Sequence, residues 1–244
     1  SGAFMPDVDK AASLAKAMIQ LGADRGCPEV ALTHAMDRPL GFACGNALEM
    51  RESIEAMKGG GPRDLMEITY ALGAEMLVLA GVAGNTAAAW DMMKRSLESG
   101  RALEKFAAIV EAQGGDVKVI DDPSRLPSAP FVAEYTAGRD GFISEVTPRT
   151  IGYGVIALGG GRVSMEDSVD SAVGFVITVK PGDAVRRGQP IAAVHARTEG
   201  GLKQGFAVMS EAVTISDETG TCLDLVSTRF SQSGAEPWLG PCGH

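Results

Sequence analysis

With 244 residues, 45% of them hydrophobic, the chain can bury one substantial core or two modest ones. A formal net charge of -9 and a pI near 4.9 exclude a sequence-independent nucleic-acid binder, which needs a clustered positive footprint on phosphate. The longest apolar stretches, such as Met76 to Val82, are far shorter than the ~20 residues that span a bilayer, so neither nucleic acid nor membrane is an expected partner and a cytoplasmic location is.

The opening Ser1-Gly2-Ala3-Phe4-Met5 has no initiator methionine and no targeting character, and reads as a cut through an ordered region. Asp7 can cap a helix whose apolar side is Leu14, Met18 and Leu21, with Gly22 and Gly26 marking its end. Val30 to Thr33 then reads as a short buried strand, one step of an α/β layer. Four helical stripes follow: Ala47, Met50, Ile54, Met57; Leu65, Ile68, Leu72, Met76, Leu79; Trp90, Met93, Leu97; and Leu103, Phe106, Val110.

A Pro/Ser/Asp-rich stretch from Asp121 to Pro130 reads as a domain boundary. Beyond it, Gly152 to Leu158, Val173 to Val179 and Pro190 to Val194 read as strands, with turn chemistry at Gly159-Gly160-Gly161 and Pro181-Gly182-Asp183. Leu202, Phe206, Met209 and Val213 give a last helix, after which the Ser/Gly/Pro-bearing end reads as loosely held. The fold class expected is an α/β segment, part of a mixed-sheet central domain, over residues 1–127. A small α+β domain resembling a barrel-sandwich hybrid follows over 128–217, and a loosely held tail over 218–244.

The block Asp37 to Glu52 carries the densest local signal. Pro39 fixes a turn, Gly41 and Gly45 permit unusual dihedrals, Asn46 caps a helix, and Glu49 can return to the cap backbone. Such a turn can aim the carbonyls of Leu40 and Ala43 to one side while Glu52 points back over it, a donor set suited to a hard cation. The plainer reading of Glu52 is a cap or dipole partner.

Cys27, Cys44, Cys222 and Cys242 show no C-x-x-C pair and no histidines at metal-ligand spacing, which indicates reduced thiols. His34, at the end of the candidate strand, lacks partners that would give it a task. Gly159-Gly160-Gly161-Arg162 is followed by no lysine and Ser/Thr pair, so a turn is expected there rather than a phosphate loop.

Several blocks in order resemble pyrimidine-nucleoside phosphorylases of the thymidine phosphorylase type: Ser1 to Met5; Pro39-Leu40-Gly41 with Gly45 to Glu49; Ala71 to Leu77; Ala112 to Asp116; Gly159 to Arg162; and Ser171 to Phe175. The resemblance implies that this chain is the carboxyl-terminal part of such an enzyme. The parent would be a homodimer converting thymidine and phosphate to thymine and 2-deoxyribose 1-phosphate, without an organic cofactor. It also implies a potassium ion held at positions matching Leu40, Ala43 and Glu52, together with a glycine and a threonine from a segment outside those matched; three ligands alone would bind the ion poorly. Phe4 matches a position lining the nucleobase pocket, although alone it reads equally as a core anchor.

The family's phosphate- and base-contacting residues match no position here, so no catalytic residue is nominated and the chain alone is expected to be inactive. Ala35 departs from the family, where an acidic residue is common. The main rival is a lipoyl- or biotinyl-like carrier module, suggested by Val179 to Ile191; it lacks an attachment lysine around Val194 to Thr198, and Lys203 lies toward the next helix.

Overall fold

The computed structural model describes residue 5 and residues 7–240. In chain order the elements of the first half are α1 (Val8–Asp24), β1 (Ala31–His34), β2 (Ala43–Cys44), α2 (Asn46–Glu55), α3 (Arg63–Leu79), α4 (Thr86–Glu98) and α5 (Arg101–Ala112). The second half holds β3 (Phe131–Thr136), β4 (Gly141–Val146), α6 (Pro148–Val155), β5 (Gly174–Ile177), β6 (Ala184–Val185), β7 (Pro190–Ala196), α7 (Glu199–Ala212), β8 (Val213–Ser216), β9 (Val226–Ser231) and β10 (Gly234–Pro237). This is a mixed α/β chain with several antiparallel sheets, and it divides into two compact units.

One unit joins the stretch ending at Met36, Arg63–Ala102 and the stretch from Leu223 on. Asp7 caps α1 by accepting from the Lys10 N–H at 2.9 Å. The face that α1 buries is not the large apolar stripe expected from the sequence. Ala15 and Ile19 pack on Phe230 of β9, whereas Leu21 is 60% exposed. In α3 the expected Ile68 is buried, but Ala71 and Ala74 complete that face and Met76 is 69% exposed. Small residues let neighbouring backbones approach closely, and the stronger dispersion attraction at short range favours the alanine face. Ala74 packs with Ala83 and Ala89, a Cβ on Gly73 would overlap Met93, and Tyr70 stacks on Trp90 at 4.7 Å.

The strand at β1 is real, but it is not a buried α/β step. It pairs antiparallel with β9, and β9 pairs antiparallel with β10, in the order β1-β9-β10. Residues 226–237 therefore form strands, although their polar composition reads as a loose tail. Their order comes from long-range pairing and from Val226, buried beside Ile68 and Ala71. Arg229 on β9 donates from Nε to Glu75 Oε1 at 2.6 Å and from Nη2 to Glu75 Oε2 at 3.0 Å, while Nη1 reaches Glu236 at 2.9 Å.

The other unit comprises Asp37–Pro62 and Leu103–Cys222. A four-stranded antiparallel sheet, β2-β5-β7-β3, and a three-stranded one, β6-β4-β8, share a single core. Phe175, Ile177, Ile191 and Val194 come from the first sheet, and Ile143, Val146, Val185 and Val213 from the second. Ile151 of α6 and Met209 of α7 close it, and α7 lies so near β7 that a Cβ on Gly205 would overlap Val194.

The run from Gly152 to Leu158, expected as a strand, is α6 and a wider helical turn at Ile156–Gly160. Pro148 at the helix start and the amphipathic placement of Ile151 and Gly154 on the core override the β-branched composition. Gly159, with φ of 97°, ends that helix, and its carbonyl accepts from the Asp170 N–H at 2.8 Å. The Gly159-Gly160-Gly161 sequence is thus a helix terminator.

The bidentate pair in the β9 sheet generates a prediction. Glu75 is only 4% exposed, so Arg229→Ala strands a buried carboxylate and is expected to lower stability by about 3–5 kcal/mol in urea denaturation. Glu236→Ala removes an exposed arm of the same network and should cost less than about 1 kcal/mol. Equal effects of the two substitutions would contradict this assignment.

Candidate functional site

The turn from Asp37 to Gly45 is held by side chains from three directions. Asp37 and Arg38 pair at 2.7 Å ahead of Pro39. Gly41 has φ of +65°, and a Cβ there would overlap Glu52 Oε2. Glu52, from the second turn of α2, accepts from the Phe42 N–H at 2.8 Å and the Ala43 N–H at 3.1 Å, both on Oε1. Lys180 donates from Nζ to the Pro39 carbonyl at 2.7 Å and to the Gly41 carbonyl, and its ammonium lies 5.6 Å from the Phe42 ring centroid.

The next step of the chain is strand β2. The Ile177 N–H donates to the Phe42 carbonyl at 2.8 Å, and Ala43 falls opposite Val176. Ala43 is therefore the non-hydrogen-bonded position, whose N–H and C=O both point away from β5. Its N–H meets Glu52, so its carbonyl faces the Glu52 side as well. Gly45, rather than Asn46, occupies the cap of α2, because Val173 O leaves no room for a Cβ at that position. Glu49 does return to the cap, accepting from the Gly45 N–H at 2.9 Å.

Burial and the nearby Glu49 carboxylate push the Cys44 thiol up to about 12, against a weaker opposing effect of Lys180. Cys44 is thus an inert neighbour of the turn rather than a nucleophile. Cys27 and Cys44 are free thiols.

Of Leu40, Ala43 and Glu52, Ala43 meets Glu52 through its N–H, and Leu40 lies three residues earlier in the same turn. The donor chemistry fits a hard monovalent cation: a carboxylate, the Ala43 carbonyl on its side of the strand, and Leu40 one residue before the left-handed glycine. Among the described residues no group of three His, Cys, Asp or Glu could hold a metal by side chains alone. Phe4 lies outside the described residues.

His34 ends β1, is exposed, and its Nδ1 contacts the Ala35 carbonyl at 3.2 Å. His195 on β7 is half-buried, and burial followed by the charge of Arg51 lowers its imidazole below the usual range. One contributor to the turn escaped the sequence reading, Lys180. The Val179-Lys180-Pro181-Gly182-Asp183 turn marks where Lys180 sits, but nothing local indicates that it reaches Pro39. Lys203 lies within α7 and the Lys180 ammonium is engaged by carbonyls, so neither is displayed as a carrier lysine.

In comparison with known proteins, two successive family models match the chain, and this turn lies within the first. Residues 1–103 match the glycosyl transferase family α/β domain, and residues 142–216 match the pyrimidine nucleoside phosphorylase C-terminal domain. Together they define the class, an α/β domain of the glycosyl transferase family continued by a C-terminal domain of the pyrimidine nucleoside phosphorylase type. The chain belongs to the thymidine/pyrimidine-nucleoside phosphorylase family.

It is 41% identical over 198 residues to a pyrimidine-nucleoside phosphorylase of Geobacillus stearothermophilus, covering 81% of this chain and 46% of that protein. It is 40% identical over 217 residues to pyrimidine-nucleoside phosphorylases of Staphylococcus aureus strains bovine RF122 / ET3-1 and USA300, covering 89% of this chain and 50% of each. The chain spans about half the length of the curated relatives it matches. Nothing in these matches favours the carrier reading.

The fit of Glu52 against Gly41 is directly testable. Gly41→Ala combines a positive φ with overlap on the Glu52 carboxylate, and a destabilisation of roughly 1–3 kcal/mol is expected in chemical denaturation. A change at Gly26, also left-handed but with nothing near its Cβ position, carries only the backbone part of that cost. Equal costs of Gly41→Ala and Gly26→Ala would count against close packing of Glu52 on the turn.

Proposed function

We propose that this chain serves the phosphorolysis of pyrimidine nucleosides, with thymidine as the substrate favoured by the resemblance. The observation that carries the reading is the collinear match to both family models at about 40% identity to pyrimidine-nucleoside phosphorylases. In this reaction an oxygen of inorganic phosphate bonds to the anomeric carbon of the sugar. The C–N glycosidic bond breaks, and its electron pair leaves with the pyrimidine, which takes up a proton to become thymine. The sugar product is 2-deoxyribose 1-phosphate, and no covalent enzyme intermediate is needed.

Within that reaction, the residues of this chain act at the edge of the site. Leu40, Ala43 and Glu52 would hold a potassium ion, whose fixed charge would organise the anionic side of the pocket. Glu52 also orients the turn through the Phe42 and Ala43 amides, and so sets the direction in which the carbonyls face. Phe4 would present an apolar face to the pyrimidine ring.

The organisation that accompanies this function assigns residues 1–127 to the α/β phosphorylase domain and 128–217 to the carboxyl-terminal α+β domain. A barrel-sandwich hybrid architecture for the latter is supported by the two antiparallel sheets that share one core. A cytoplasmic homodimer is the assembly the resemblance favours. Among the described residues, no helix is long and apolar enough to cross a membrane.

The chain spans about half the length of its relatives, and the resemblance assigns the family's phosphate- and base-contacting residues to no position of it. It is therefore expected to release no thymine from thymidine and phosphate by itself. Co-expression with the amino-terminal half of the Geobacillus stearothermophilus relative should restore release, followed by the ultraviolet change of the freed base. Thymine release by the chain alone would overturn the division of labour, and silence of the joined halves would overturn the assigned reaction.

A further inference from the structure

Five consecutive carbonyls, from Pro39 to Ala43, run through the turn that faces Glu52, and their distribution is ordered. The Pro39 and Gly41 carbonyls accept from the Lys180 ammonium, and the Phe42 carbonyl accepts from the Ile177 amide. The two carbonyls interleaved with these, on Leu40 and Ala43, are the pair that completes a cation-binding set with Glu52. Pairing of β2 with β5 sets the Phe42 and Ala43 carbonyls, but the stretch from Pro39 to Gly41 ahead of the strand has no intrinsic reason to sort its own. A fixed positive charge on one side does.

The anchor of Lys180 is itself rigid. Its backbone N–H donates to Asp183 Oδ2 at 2.8 Å, and the Asp183 N–H returns to the Lys180 carbonyl at 3.1 Å. Gly182 takes φ of 98° to close this turn. The preceding Val179 is buried in the shared core, so the lysine stem projects from a fixed base. The Phe42 ring beneath the ammonium adds attraction without supplying a competing charge.

We propose that Lys180 is a positioning residue, a built-in cation that draws the Pro39 and Gly41 carbonyls to one side and thereby leaves that of Leu40 to join the strand-set Ala43 carbonyl on the Glu52 side. As a role in cation binding, this rests on the potassium-site reading given above. As a role in ordering the turn, it stands on the observed hydrogen bonds alone. The ammonium takes carbonyls adjacent to those offered to the ion, so the two cations divide the turn between them rather than compete for it.

The test is amide hydrogen exchange of the whole chain, followed residue by residue by NMR, for the wild type, Lys180→Met and Lys180→Arg, in potassium chloride and in choline chloride. In Lys180→Met the Phe42 and Ala43 amides should exchange at least about tenfold faster while the amides of β7 keep their rates, and Lys180→Arg should return the turn to within about threefold of wild type. Potassium should slow the Phe42 and Ala43 amides in the wild type and not in Lys180→Met. Unchanged exchange at Phe42 and Ala43 in Lys180→Met overturns the proposal, as does an equal acceleration throughout β7, which would make Lys180 a general stabiliser. Absence of any potassium response in the wild type, with the turn still loosened by Lys180→Met, refutes the cation site and upholds the ordering of the turn.

Discussion

A backbone that reverses within a few residues exposes more carbonyls and amides than it can pair with itself, and each must be met by water or by a partner. Between Pro39 and Gly45 the partners come from distant parts of one unit. Glu52 takes the amides of Phe42 and Ala43, Glu49 takes that of Gly45, Lys180 takes two carbonyls and Ile177 a third. Everything placed on the turn depends on the Glu52 carboxylate, because it meets two successive amides and lies against the only residue there with a left-handed φ before β2 begins. Rotation of Glu52 away would release both amides at once and disconnect α2 from β2.

The core of this unit explains why the arrangement persists. β5 pairs with β2 on one side and with β7 on the other, and its Phe175 and Ile177 are buried between the two sheets. The turn is thus attached to a strand whose side chains belong to the core. The strand that aligns Ala43 also leads, three residues after Ile177, to Lys180. A functional loop carried on a rigid scaffold is the usual solution when direction matters more than affinity of any one contact.

Much of this was legible in the sequence, for identifiable reasons. Pro39, Gly41, Gly45, Glu49 and Glu52 all act within fifteen residues, so local rules reach them, and Asp7 caps α1 where its position indicates. What local rules missed is tertiary. The faces that α1 and α3 bury combine one isoleucine each with small residues, Ala15 and Gly22 in α1 and Ala71 and Ala74 in α3, and a reading weighted by side-chain size selected Leu21 and Met76, which are exposed. The β-branched run after Gly152 folds as helix because its Ile151 face meets the core. The strands after Leu225 exist because β1 offers a partner almost two hundred residues earlier. Lys180 and its carbonyls are 141 and 139 residues apart, and no periodicity reports a contact of that range.

If Glu52 and Lys180 order one turn from two sides, their effects must depend on each other, since each fixes the backbone that the other binds. A double-mutant cycle of Glu52→Gln and Lys180→Met, measured by urea denaturation, tests this most directly. The account predicts a coupling free energy of at least about 1 kcal/mol, within the range for residues sharing one hydrogen-bond network. Additivity to within roughly 0.3–0.5 kcal/mol, the behaviour of independent sites, would contradict it.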